Sequence, residues 1–296
     1  MDNELKKGVN IYLYYWTIPV FFFLLILNYY TRNIKIEALD IGLMISIVSF
    51  LFGFLITITF SMLLSKVSAL KENLACETGR LVSLYLSSKQ LGKKFHLHLK
   101  QRIDSYTIST LRDYINYEVS RDHFYGMYKD LDSLEINNFA QEAAANSFYY
   151  VLGELATIRE KLEYLTSRRV EKSLKISNYV LGLLLIVLLF LNRGDTFTNS
   201  IFIILSTIII FIFLIIEDYD NLKIGDYTYN ISNSEQIFDL LETERYYPKE
   251  ILSRAILIPG KKYRIGIYDK KTKQEKMHLI QYNPSFKRKL LFLSKK

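Results

Sequence analysis

Residues 41–85 read IGLMISIVSFLFGFLITITFSMLLSKVSALKENLACETGRLVSLY. From Ile41 to Leu64 there is no charge. A helix rises about 1.5 Å per residue, so this stretch exceeds the roughly 20 residues needed to cross the hydrocarbon core of a bilayer. Beyond Lys66 the composition changes, but Val67, Leu70, Leu74, Leu81 and Leu84 still recur at steps of three and four, with one gap. The stretch therefore reads as a membrane span that continues as one helix into water.

Three further apolar stretches are uncharged: Ile11–Tyr30, Ile176–Asn192 and Ser200–Ile216. The last two lie near the lower length limit and should cross with little tilt. Thr31–Asp40 and Arg193–Asn199 are short connections, so the spans group as two antiparallel hairpins. The polar bulk lies elsewhere. Ser65–Lys175 holds 17 Lys or Arg against 14 Asp or Glu, and Asp218–Lys296 holds 16 against 10. Lys6, Lys7, Lys66, Lys71, Arg168, Arg169, Lys172 and Lys175 flank the spans on this side. In the short loops, Arg32 and Lys35 are balanced by Glu37 and Asp40, and Arg193 by Asp195. The positive-inside bias thus places both termini and the insert in the cytosol. Tyr12, Tyr14, Tyr15 and Trp16 form an inner aromatic belt, and Tyr29 and Tyr30 an outer one.

The expected fold class is an all-α membrane protein, with four transmembrane helices as two hairpins flanking a helical cytosolic insert and a small β-containing C-terminal tail. Its parts are 1–66 (N-terminal region and first hairpin), 67–175 (insert), 176–217 (second hairpin) and 218–296 (tail). The net charge of +8 is explained by this topology and by anionic headgroups, so no nucleic-acid partner is expected. The first apolar block is long and lacks a small-residue cleavage site, so it is not read as a cleavable signal. Pro19 in that block reads as a packing kink, since membrane helices tolerate proline.

The insert reads as helical throughout. Gly92 interrupts the first helix; a second carries Leu99, Ile103, Tyr106 and Tyr117 on one face, and a third runs from Asn138 to Lys175 into the third span. In the tail, Ile224–Ser234 reads as a turn-rich connection, followed by a helix to about Glu244 capped by Ser232 or Ser234 and ended by Tyr246, Tyr247 and Pro248. Ile256–Ile258, Tyr263–Tyr268 and Met277–Tyr282 alternate like strands around turns at Pro259-Gly260 and Asp269–Lys273. Ser285–Lys296 is basic and amphipathic, fit either for the inner leaflet or for a frayed end.

Enzyme chemistry finds no footing: no phosphate loop, dinucleotide fingerprint, serine-hydrolase elbow or zinc-protease motif occurs, and no cofactor is expected. Cys76 is the single cysteine, which excludes an intrachain disulfide and places it on a packed helix face. His96 and His98 sit two apart on a helix, where their side chains do not converge, and His123 and His278 are isolated. Asp130, Asp132 and Glu135 lack the glycine turn and terminal glutamate of a calcium loop. Glu217, Asp218 and Asp220, with Asp226 beyond, follow the fourth span and read either as a solvated helix end or as a weak cation site.

Ser46, Ser49, Gly53, Thr57 and Ser61 recur at steps of three and four along the second span, with Phe50, Phe54 and Phe60 beside them. Such a face serves either close helix packing with shared hydrogen bonds or a pore, where hydroxyl dipoles and ring edges meet a partly dehydrated ion. The spans lack the intramembrane charge of proton relays and voltage sensors.

Several local sequences resemble the bestrophin-like family of mostly bacterial membrane proteins. Glu72–Tyr85 (ENLACETGRLVSLY) is similar to the family's acidic-small-leucine run, and Arg159-Glu160-Lys161-Leu162 to its arginine-leucine pair. Asp220–Gly225 followed by Ser232–Phe238 looks like its turn before a short helix, without the usual proline. The resemblance covers about residues 10–245 and implies a relation to bestrophins, pentameric anion channels whose second span lines the pore. It thereby implies a homo-oligomer conducting anions, in a bacterial-type plasma membrane; with the spacing above, the expected pore-lining residues are Ser46, Ser49, Phe50, Gly53, Phe54, Thr57 and Ser61. Glu217, Asp218 and Asp220 stand near the place of the bestrophin calcium clasp but are sparser. The alternative is a non-conducting membrane scaffold or sensor that recruits a cytosolic partner through insert and tail.

Overall fold

A computed structural model describes residues 11–31, 41–112, 118–221, 226–249, 252, 255, 257–269 and 274–283, with 11–14, 226–230, 268–269 and 274–275 described by backbone alone. The chain forms two compact units, one of residues 1–68 and 168–225, the other of residues 69–167 and 226–296. Eight helices are described: α1 (Ile11–Tyr30), α2 (Ile41–Ser87), α3 (Lys93–Arg112), α4 (Glu118–Asp132), α5 (Phe139–Ser167), α6 (Lys172–Leu191), α7 (Thr196–Asp220) and α8 (Asp226–Leu240). Strands β1 (Arg245–Pro248), β2 (Lys262–Asp269) and β3 (Gln274–Gln281) follow.

The first unit contains α1, the apolar half of α2, α6 and α7. Among the described residues, three helical stretches are long and apolar enough to cross a membrane: Ile41–Leu91, Phe139–Leu191 and Thr196–Asp220. Tyr15–Tyr30 is a shorter apolar helix. Leu24, Val48, Phe52, Leu185, Leu188, Phe202 and Ile209 make the common core. Gly182 lets α6 come close: a Cβ there would overlap the Phe213 ring and lie 3.1 Å from Phe52. Asn178 donates to Thr59 Oγ1 at 2.6 Å, one of the few polar bonds inside this apolar packing. After α6, Arg193 donates to Asn28 and Thr31 at 3.0 and 2.8 Å and lies over the Phe190 ring, tying the end of α1 to the α6–α7 connection. Asp195 then caps α7 in a reciprocal box with Thr198.

The second unit holds the polar half of α2 with α3, α4, α5, α8 and the sheet. Leu81, Leu84, Leu99, Ile103, Phe148, Leu152 and Leu155 share one core. Each such side chain, fully buried, contributes about 1.5–3 kcal/mol as an upper estimate. Gly92 stops the preceding short 3-10 turn with φ of 111°, a backbone setting that glycine reaches without strain. In the sheet, β1 runs parallel to β2 (Arg245 opposite Tyr263) and β2 antiparallel to β3 (Lys262 opposite Gln281). Tyr246, Tyr247 and Tyr263 bury their rings with Leu111, Ile231 and Phe238. Arg264 joins β2 to α3 through both oxygens of Asp104, at 2.5 and 2.7 Å.

Several sequence readings need revision. The single long helix expected from Asn138 to Lys175 is two helices, parted at Arg168–Glu171. There the Val170 amide donates to the Asp220 carboxylate at 2.8 Å and the Arg168 carbonyl accepts from Lys66 at 2.6 Å, so tertiary partners replace helical ones. Helix α4 went unread although Phe124, Met127 and Leu131 are buried at helical spacing. Helix α8 starts at Asp226, before the expected cap, because Ile231 and Ser234 extend the buried stripe of Phe238 and Leu241 backwards. Tyr246–Pro248 form a strand instead of a helix stop, and residues 257–258 are not strand. Cys76 is exposed, since the packed stripe of α2 runs through Leu70, Leu74, Glu77 and Leu81 and leaves it outside. Tyr117, residues 270–273 of the second turn and the basic end 285–296 lie outside the described residues.

Candidate pore-lining face

In the apolar half of α2, each residue advances the side-chain direction by about 100°. Val48, Phe52, Thr59 and Leu63 fall on one side and are buried in the first unit. The seven residues singled out from spacing fall on roughly the opposite side. Ser46, Ser49, Phe50, Gly53, Phe54, Thr57 and Ser61 are all exposed in the chain. Phe50 and Phe54 show 74% and 58% of their surface, too much for rings that help hold this unit together.

Two of the hydroxyls on this face are turned inward on their own helix. Ser46 donates to the Gly42 carbonyl at 2.9 Å and Thr57 to the Gly53 carbonyl at 2.8 Å. This is how hydroxyls settle in an apolar medium when no other acceptor is near. Gly53 has nothing within 4 Å of where a Cβ would stand, unlike Gly182. Among the described residues of the chain, therefore, the small residues of this face are not used for close helix packing.

The acidic residues at the end of α7 are drawn into the protein. Asp220, 3% exposed, accepts from the Val170 amide at 2.8 Å and from the Lys175 ammonium at 3.1 Å. Its own carbonyl accepts from Lys66 at 3.3 Å and from Arg169. Glu217 pairs with Lys175 at 2.8 Å and accepts from the Tyr179 hydroxyl. Asp218 also has interactions within the chain. The ammonium of Lys175 thus lies between the Glu217 and Asp220 carboxylates. Among the described residues, no group of three or more His, Cys, Asp or Glu is placed to hold a metal ion.

Spacing alone did not reveal a network in the second unit. Tyr106 of α3 donates to Glu77 of α2, and Arg159 of α5 donates to the Tyr106 oxygen at 2.6 Å and to Ser120 of α4 at 3.0 Å. The guanidinium also lies over the Phe124 ring, 4.8 Å from its centre. Burial pushes the Glu77 carboxyl above the usual range, opposed by the Tyr106 bond and the Arg159 charge. Burial likewise pushes the Tyr106 hydroxyl well up. The sequence signal existed: Glu77 lies in the run 72–85 and Arg159 opens the second quoted motif, yet nothing local says that they meet. The histidines do not join them. His96 contacts Ser88 at 2.6 Å, and His98 faces Asp130 at 3.3 Å beside Arg102.

Comparison with known proteins gives two findings. Residues 21–227 match the Bestrophin-like domain. The fold is similar to a crystal structure described as a mutant membrane protein, with TM-score 0.55 and 12% identity over 79% of this chain and 98% of that one. It is also similar to a mutant bacterial bestrophin homologue from Klebsiella pneumoniae (TM-score 0.54, 12% identity, 78% and 98% covered). A zinc-phased structure of a bestrophin homologue from the same organism gives TM-score 0.54 and 12% identity, with 79% and 99% covered. At such identity the likeness speaks for the fold. No curated protein matches the chain.

Proposed function

The chain belongs to the bestrophin-like family, and from that premise we propose that it is an integral membrane protein of four spans that assembles, as a pentamer, into an ion channel favouring anions. The reading rests above all on the exposed α2 face, where Ser46, Gly53 and Thr57 with the rings of Phe50 and Phe54 find no partner helix among the described residues of their own chain. Copies arranged around an axis would give that face its use. The hydroxyls and ring edges would meet a partly dehydrated ion, with no fixed charge to trap it. The anion preference comes from the family resemblance. Purified protein in a planar bilayer should give unitary currents, and Phe50→Ala or Phe54→Ala should change conductance. Both rings are exposed, so each variant should unfold within about 0.5 kcal/mol of the parent. A silent bilayer with a folded oligomer would count against the channel.

A second reading has one observation of its own. The family match ends at residue 227, whereas the chain continues through a sheet whose edge strand exposes Met277 and Leu279. A membrane scaffold or sensor recruiting a cytosolic partner would use such an addition. Charged substitutions at Met277 and Leu279 should then abolish partner capture and leave ion flux unchanged.

A further inference from the structure

Glu77 is 6% exposed and sits within the helical packing of the second unit. Facing it are the Tyr106 hydroxyl from α3, which donates to its Oε1, and the Arg159 guanidinium from α5, which acts across that phenol. Helix α4 contributes Ser120, which accepts from Arg159 at 3.0 Å. One turn along α2, Arg80 is turned to Glu154 of α5 at 3.2 Å. We infer that Glu77 is a proton-binding site of this unit, taking up a proton when α3 and α5 close over α2 and releasing it when that packing opens to water.

The geometry supplies the reason. A carboxylate shut away from water is stabilised in its charged form only by the groups placed around it. Here a neutral phenol stands between the anion and its cation. Burial outweighs both helpers and raises the Glu77 carboxyl above the ordinary range. A raised folded value means that the closed packing is favoured at low pH and that this contribution is lost as pH rises through the raised value. Alkalinisation should therefore loosen the contact of α2 with α3 and α5. Since α2 also carries the proposed pore face, an effect on flux would follow, and only that part rests on the channel reading.

The full-length protein in lipid nanodiscs tests this by amide hydrogen exchange along a pH series that rises from the ordinary glutamate range, with intrinsic rates corrected. Amides of α3 and α5 should lose protection as pH rises. Glu77→Gln keeps an acceptor for Tyr106 without a titrating group, so the pH dependence should vanish and acid-like protection should persist throughout. Tyr106→Phe removes a bond that favours the ionised carboxylate and should move the transition to higher pH. Identical profiles in the parent and Glu77→Gln, or an unmoved transition in Tyr106→Phe, overturns the site. Chloride flux from liposomes separates the two readings. pH-dependent exchange without any flux sustains the proton site and removes the channel.

Discussion

Removing the Asp220 side chain takes an acceptor from the Val170 amide and a counter-charge from Lys175 in one step. Asp220→Ala should lower stability by about 3–5 kcal/mol, the usual loss when one partner of a buried pair is deleted. Asp220→Asn keeps an acceptor for the amide and should lose less. Thermal unfolding in detergent reads both. At this scale the sequence was legible only where partners are local. Ser46 to Ser61 announced themselves by spacing along one helix. Asp220 did not: it read as one of an acidic cluster, because Val170 and Lys175 lie about 50 residues away and no spacing rule connects them.

Two glycines put the packing of the helices to a direct test. Gly182→Ala would force a methyl group into the Phe213 ring and against Phe52, and should destabilise the chain by about 1–3 kcal/mol. Gly53→Ala meets nothing within 4 Å in its own chain and, by helix preference, should leave the chain as stable or up to about 1 kcal/mol more stable. Denaturant unfolding of the two variants side by side measures the contrast. The run of α2 through Ile41–Ser87 and the break at Gly92 were readable because periodicity and glycine chemistry are local signals. The break at Arg168–Glu171 and strand β1 were not. The first is held by Lys66 and Asp220, and the second takes its hydrogen bonds from residues 263–266.

For the molecule as a whole, the proposed topology puts the polar bulk on one side of the bilayer. In a Cys76→Ser background, cysteine replacements at Lys100 and Lys271 should therefore be labelled from the same face, and labelling from opposite faces would refute the topology. The detergent-solubilised complex should also have the mass of an oligomer. Deleting residues 246–296 is a poor probe of partner binding, because it removes Tyr246, Tyr247 and Tyr263 from a shared core and Arg264 from Asp104. Such a truncation should expose Phe238 and unfold the second unit.

Ser46 and Thr57 spend their hydrogens on the carbonyls of Gly42 and Gly53. What they offer outward is electron density. A halide can be met by either hydroxyl only after the rotor swings away from a carbonyl that keeps its helical amide partner, giving up one hydrogen bond worth about 1 kcal/mol each. In a conduit built from these rotors, the proposed preference for anions would fall to the electropositive edges of the Phe50 and Phe54 rings.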